Sequence, residues 1–113
     1  MASVPVMRLR PSVIELVVSD IAATLASYRL LGLDLPPSAD AEPHVEVDLG
    51  GGLRLAFDSV ATVRSFDPGW EPPSGGHRVA LGFECADAAE VDSAYAAVTA
   101  AGHAGHLPPW DAF

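Results

Sequence analysis

The chain has 113 residues, half of them hydrophobic and 19% charged, which predicts one domain with a substantial core rather than a disordered segment. Its net charge of −9 disfavours nucleic-acid binding and favours a cationic or neutral ligand, unless the acidity serves solubility alone. The sequence shows neither a signal-peptide pattern nor an apolar run of about 18 residues, so we expect no secretion and no membrane span. The single cysteine, Cys85, excludes an internal disulfide framework and a cysteine-based zinc site, and favours a cytoplasmic location.

The first predicted elements are a strand and a helix. Residues 13–18 are β-branched and apolar except for Glu15, which predicts a strand. Asp20 follows as a helix N-cap, and Gly32 provides the left-handed exit. Between them, apolar side chains recur at helical spacing: Ile21, Leu25, Tyr28 and Leu31. The next segment, LDLP, predicts a short edge strand that ends at the prolines.

Residues 44–58 alternate between apolar and polar side chains on both sides of three glycines, which predicts a β-hairpin with one apolar face. Residues 59–76 are rich in proline and glycine, which predicts a linker or long loop that carries Phe66 and Trp70.

A second cycle follows the loop. Residues 79–85 alternate as a strand, and Asp87 with Glu90 has the spacing of a capping box. A helix then runs to Gly102. Shifting the first unit by 67 positions places Asp20 on Asp87 and the first strand on residues 80–85, which indicates an internal duplication.

The segments ELVVSDIAATLASYRLLGL and VALGFECADAAEVDSAYAAVTAAG, with the tail PPWDAF, resemble the vicinal oxygen chelate superfamily, and within it the bleomycin-resistance-like branch. The superfamily includes glyoxalase I, bleomycin-resistance proteins and ring-cleaving dioxygenases. The resemblance implies an α+β fold in which paired βαβββ modules form a curved sheet cup. We expect a first module over 12–58, a linker over 59–76 and a second module over 77–113. Relatives continue with two more strands, so the second module is expected to be incomplete at Phe113, through missing sequence or because a partner supplies the edge.

The resemblance also implies where a metal would bind. The family's ligand positions fall near Val13, Ala56 and Ala80, whose alkyl groups cannot coordinate a cation, so we expect neither a metal nor another cofactor. The alternative is a shifted register in which Glu15, His44 or Glu84 serves as a ligand. No nucleophile motif occurs, and Cys85 is expected to be a buried, inert thiol, so no catalytic residue is assigned.

The remaining polar residues of the predicted cup and the loop aromatics form the candidate ligand-binding set: Glu15, His44, Glu46, Arg54, Phe66, Trp70, Arg78, Trp110 and Phe113. In a competing interpretation, Trp70 and Trp110 only cover the barrel ends, and the two arginines only neutralise Glu46 and Glu84.

Three functions are compatible with this pattern. The first is a metal-independent protein that sequesters an aromatic or cationic compound, such as an antibiotic natural product, in a homodimer that the resemblance implies. The second is a metal-dependent glyoxalase- or dioxygenase-type lyase or isomerase. The third is an assembly domain with a vestigial pocket. No partner of the nucleic-acid or membrane class is expected.

Overall fold

The computed structural model describes residues 6–76 and 79–111, and its elements follow the first predicted unit closely. Arg78 and Phe113 of the candidate binding set lie outside the described residues. Three strands, three α-helices and one short 3₁₀ helix are formed there, in this order: β1 Val13–Val18, α1 Ile21–Leu30, the 3₁₀ helix Pro37–Ala41, β2 His44–Gly50, β3 Leu53–Ser59, α2 Val60–Phe66 and α3 Ala88–Ala100.

The three strands form one mixed sheet with the order β1-β3-β2. The central strand β3 runs parallel to β1 and antiparallel to β2. The three glycines at residues 50–52 all have positive φ, so they close the predicted hairpin in a conformation that other residues rarely adopt. The register slips by one residue between Asp48 and Gly50, and this bulge leaves Leu49 42% exposed.

Helix α1 covers one face of the sheet and builds the core with it. Asp20 caps the helix by accepting a hydrogen bond from the Ala23 backbone amide at 3.0 Å. Leu25, Leu55 and Phe57 are almost completely buried at this interface, and the Tyr28 ring packs edge-on against Phe57 at 5.1 Å. The predicted apolar face of the first unit is therefore confirmed, except at Leu31 and Leu49, which are 39% and 42% exposed.

Two local predictions between residues 33 and 76 were wrong. The LDLP segment forms no strand, and the chain enters the 3₁₀ helix instead. The supposed linker begins with α2, which Ser59 caps by accepting a hydrogen bond from the Thr62 amide at 3.1 Å. Val63 anchors α2 with 3% exposure, so residues 60–66 pack on the sheet rather than forming a loop.

The second unit forms its helix but not its predicted strand. The Asp87 side chain accepts a hydrogen bond from the Glu90 amide at 2.8 Å, as the capping-box spacing predicted. Residues 79–85 are irregular, however, and Val79 is 74% exposed. A strand needs a neighbouring strand for its backbone hydrogen bonds, and residues 79–85 pair with neither edge strand of the sheet, β1 or β2.

Within the same described ranges, no helix combines the length and apolar character needed to cross a bilayer.

Candidate functional site

The face of the sheet opposite α1 carries a row of charged side chains across all three strands. Because residues directly opposite each other share a face, Glu15 aligns with Ala56 and Glu46. Two residues further along β3, on the same face, Asp58 lies opposite Val17 of β1 and His44 of β2. The alternation of the hairpin therefore places these acids and His44 on one surface.

His44 links two carboxylates on this surface. Its Nδ1 donates a hydrogen bond to Oδ1 of Asp58 at 2.5 Å, and its Nε2 donates to Oε2 of Glu46 at 2.7 Å. Both ring nitrogens act as donors only in the imidazolium form. The hydrogen bond with Glu46, followed by the one with Asp58, raises the pKa of His44. His44 therefore serves as a fixed cation between two acids, and neither nitrogen is free to accept a proton from a substrate.

Glu46 and Asp58 are held in their charged forms. The hydrogen bond from His44 lowers the pKa of Glu46, and Arg54 contributes through an ion pair at 2.5 Å. Asp58 is only 2% exposed, and burial alone disfavours its charge. Hydrogen bonds from Glu15 and His44 outweigh this burial and lower the pKa of Asp58.

Glu15 behaves differently from the other two acids. A hydrogen bond to Asp58, together with burial and the negative charge of Asp58, raises the pKa of Glu15. None of the ion pairs between described residues involves Glu15. Glu15 is thus an exposed acid beside a buried carboxylate, and it forms no ion pair with another residue of the described ranges.

A cleft of about 520 Å³ opens beside Glu15. Its wall includes the indole of Trp70, and the remaining lining comes from β1, the start of α2 and the proline-rich loop: Leu16, Val17, Ser19, Val60, Pro72 and Pro73. Trp70 is held in place through its backbone, whose amide donates to the Asp67 carbonyl at 3.0 Å and whose carbonyl accepts from Arg64 Nε at 3.2 Å. The loop thus holds an aromatic surface next to a carboxylic acid.

Comparison with known proteins assigns the chain to a family. The family model described as the glyoxalase/bleomycin resistance protein/dioxygenase superfamily matches residues 10–113. The chain belongs to this superfamily. It is similar to the crystal structure of a glyoxalase/bleomycin resistance protein/dioxygenase from Nocardioides, with 25% sequence identity and a TM-score of 0.65 over 96% of this chain and 72% of that chain. None of the curated proteins matches the chain significantly.

These comparisons confirm the predicted superfamily, while the bleomycin-resistance-like branch stays a prediction. The small α+β arrangement with its mixed sheet is consistent with the glyoxalase-like fold, and the pairing of two complete modules is not formed by the described residues.

The metal positions that the glyoxalase-like resemblance implies do not fit a metal in this chain. Val13 lies at the start of β1, Ala56 is buried in the centre of β3, and Ala80 lies in the irregular segment before α3. None of these side chains has a donor atom. Among the residues that the structure describes, no group of three or more His, Cys, Asp or Glu side chains is placed to hold a metal ion.

The structure does not bring all the candidate binding residues of this glyoxalase-family chain together in one site. Glu15 and Trp70 line the cleft together, while His44, Glu46 and Arg54 form the charged network behind Glu15. Phe66 and Trp110 are 66% and 68% exposed, and neither lines the cleft.

Asp58, which connects Glu15 to His44, was not among the predicted site residues. Its position could have been predicted from the hairpin register, because a turn centred on Gly51 places residue 44 opposite residue 58.

Cys85 is half-buried rather than buried. Together with Glu84 it lines a separate cleft of about 260 Å³ between the end of α1 and α3. Glu84 is thereby separated from Glu15 and His44, with which it had been considered as an alternative ligand.

Proposed function

We propose that this protein binds and sequesters a small aromatic or cationic compound, such as an antibiotic, in the cleft beside Glu15 and Trp70. The observation that carries the proposal is that one cleft brings together Trp70 and an acid, Glu15, that forms no ion pair among the described residues. The cleft volume of about 520 Å³ lies within the range of roughly 300–1,000 Å³ that is usual for small-molecule sites. The net charge of −9 also favours the approach of a cation.

Binding without chemical conversion is supported by the groups around the cleft. His44, the strongest candidate for a general base, donates from both nitrogens to carboxylates. Ser19 is the only hydroxyl among the lining residues described, and no histidine lines the cleft with it to activate it as a nucleophile. Stiff prolines at positions 72 and 73 reduce the ordering that a bound ligand would require of the loop.

A homodimer is part of the proposal, because the second unit leaves apolar side chains exposed, including Val79 and Phe83. A cytoplasmic location stays a prediction.

Titration of the protein with a panel of aromatic antibiotics tests the proposal through tryptophan fluorescence. The chain offers a matched pair, since its two tryptophans are Trp70 in the cleft and the exposed Trp110. We expect Trp110→Leu to retain ligand-induced quenching. Trp70→Leu should lose the quenching and about five- to thirtyfold in affinity, as removal of an aromatic contact worth roughly 1–2 kcal/mol implies. No fluorescence change in either variant or in the parent protein across the panel would contradict the proposal.

The competing function is a metal-dependent lyase, isomerase or dioxygenase. It would require His44 to exchange at least one carboxylate partner for a metal, because both of its nitrogens are engaged. Elemental analysis of protein purified without chelators separates the two functions. A stoichiometric transition metal that is lost in the variant His44→Gln would overturn sequestration in favour of the enzyme.

A further inference from the structure

The proline-rich loop, residues 67–76, has few contacts of its own that could fix its position. Only one backbone hydrogen bond between described residues lies within it, from the Trp70 amide to the Asp67 carbonyl at 3.0 Å. Three of its ten residues are prolines, which have no amide hydrogen to donate. The residues after Trp70 form no backbone hydrogen bond with any other described residue. The position of the loop therefore depends on side chains that reach it from elsewhere.

Arg64 of α2 is the side chain that reaches the loop. Its Nε donates a hydrogen bond to the Trp70 carbonyl at 3.2 Å, and its Nη2 donates to Oε2 of Glu71 at 3.4 Å. Within the described ranges, no other side chain forms a hydrogen bond with residues 67–76. Arg64 follows Val63, which is 3% exposed and anchors α2 on the sheet. One guanidinium thus connects two consecutive loop residues to an element of the core.

We propose that Arg64 is a positioning residue of the cleft, which holds Trp70 at the cleft wall, and that release of its two contacts opens the cleft. The inference rests on the proposed binding function and adds a control on access to the same site. Arg64 does not line the cleft, so it acts through the loop and not by touching a ligand.

Release of the loop costs little free energy. The side chains of Arg64 and Glu71 are 44% and 79% exposed, so water competes for both ends of their ion pair. The loop therefore exchanges between a closed arrangement, in which Trp70 completes the cleft, and an open one. Because a ligand must bind the closed arrangement to contact the indole, loss of Arg64 makes the ligand order the loop and lowers its affinity.

Lysine cannot replace Arg64 in this role. A guanidinium presents several N–H groups in a fixed plane, and two of them serve the Trp70 carbonyl and the Glu71 carboxylate together. A lysine ammonium is a point charge on a flexible stem, which suits the carboxylate but does not fix the carbonyl at the same time. The proposal therefore distinguishes the shape of the Arg64 side chain from its charge.

Acrylamide quenching of tryptophan fluorescence tests the positioning without a ligand. All proteins carry Trp110→Leu, so that the half-buried Trp70 is the only tryptophan. We expect the quenching constant to rise about twofold in Arg64→Gln and in Arg64→Lys, and by less in Glu71→Gln, which keeps the contact with the carbonyl. The control Arg8→Gln removes an exposed arginine that forms no ion pair among the described residues and should match the parent protein.

A rescue experiment separates the role of the guanidinium from a general loss of structure. In Arg64→Ala, added ethylguanidinium should restore the quenching constant of the parent protein, and ethylammonium at the same concentration should not. Quenching in Arg64→Gln that equals the parent value, or rescue by ethylammonium as well as by ethylguanidinium, would overturn the positioning role of Arg64.

Titration of the same proteins with proflavine, a planar aromatic cation, measures the effect on the cleft. We expect Arg64→Gln to bind proflavine about two- to tenfold more weakly than the parent protein, and Arg8→Gln to bind it equally well. Increased quenching in Arg64→Gln with unchanged proflavine affinity would overturn the control of the cleft by Arg64. Absence of proflavine binding to the parent protein would contradict the proposed function, whereas the quenching and rescue results decide on Arg64 by themselves.

Discussion

At the scale of single residues, His44 makes two side-chain hydrogen bonds on one face of the sheet, and one of them ties β2 to β3. Its pairing with Asp58 spans the hairpin, and its pairing with Glu46 joins positions on the same strand. Because Asp58 is 2% exposed, its charge depends on these donors, since a buried carboxylate without partners is costly. The network therefore stabilises the same surface that presents Glu15 to the cleft.

The pH dependence of stability follows from the directions of the pKa shifts. The pKa of His44 is raised in the folded protein, so its contribution is present below its unfolded value of 6.5 and is lost as the pH rises through the folded pKa. The pKa of Asp58 is lowered, so its contribution is present above 3.8 and is lost when the pH falls through the folded value. The network is therefore most stabilising in mildly acidic solution.

We expect the free energy of unfolding to fall between pH 6 and pH 9 by at most about 1 kcal/mol, because the half-exposed His44 is screened by water. In His44→Gln this pH-dependent loss should disappear, and His106→Gln, at an exposed position, should retain it. Urea unfolding at both pH values measures the difference. A loss of equal size in His44→Gln and in the parent protein would assign the effect to other groups.

At the scale of elements, the two helices that an aspartate caps, α1 and α3, differ in how many of their residues are buried. Helix α1 contributes Ile21 and Leu25 to the core, whereas α3 buries no residue. Both helices nevertheless begin with an aspartate that accepts a hydrogen bond from the third residue after it. The same local signal thus starts a helix that belongs to the core and one that does not.

Removing each cap should therefore have different consequences. Asp20→Ala should lower the free energy of unfolding by about 1 kcal/mol, as is typical for loss of an N-cap. Asp87→Ala should increase amide hydrogen exchange within α3 but change global unfolding by less than about 0.5 kcal/mol, because surface changes away from the core have small effects. Urea unfolding and hydrogen exchange followed by mass spectrometry give the two readouts. Equal global losses in the two variants would show that α3 unfolds together with the sheet.

The elements that depend on residues close to each other in the sequence could be predicted from the sequence. Alternation, the Asp20 cap and the run of glycines at 50–52 located β1, α1 and the hairpin. The segment 79–85 carries the same alternation but has no strand beside it, and pattern alone does not reveal whether a partner is present. Helix α2 was missed because the prolines and glycines after Asp67 led to the whole segment 59–76 being interpreted as a loop.

For the candidate site, Glu15 and Trp70 were each predicted as binding residues. That they line the same cleft depends on α2 and on the loop that follows it.

At the scale of the whole molecule, the chain exposes far more surface than a compact monomer does. Its accessible area is 8970 Å², whereas a folded monomer of 11.7 kDa exposes about 5,900 Å². The radius of gyration of 17.5 Å likewise exceeds the roughly 13 Å expected for this length. On the second unit, Val79, Leu81 and Phe83 are between 37% and 74% exposed.

This surplus of apolar surface is the basis for the predicted homodimer. We expect light scattering coupled to size-exclusion chromatography to give twice the chain mass of 11.7 kDa, because a second copy can cover the side chains of residues 79–83. Leu81→Asp should place a charge in that contact and shift the protein to the monomer at micromolar concentration. The control is Leu9→Asp, which changes a leucine that lies before β1 and is 80% exposed, and this variant should stay dimeric.

A parent protein that elutes as a monomer at all concentrations would contradict the dimer. A dimer that survives Leu81→Asp but is lost in Leu9→Asp would move the contact to the N-terminal segment, away from the second unit whose exposed surface motivates it.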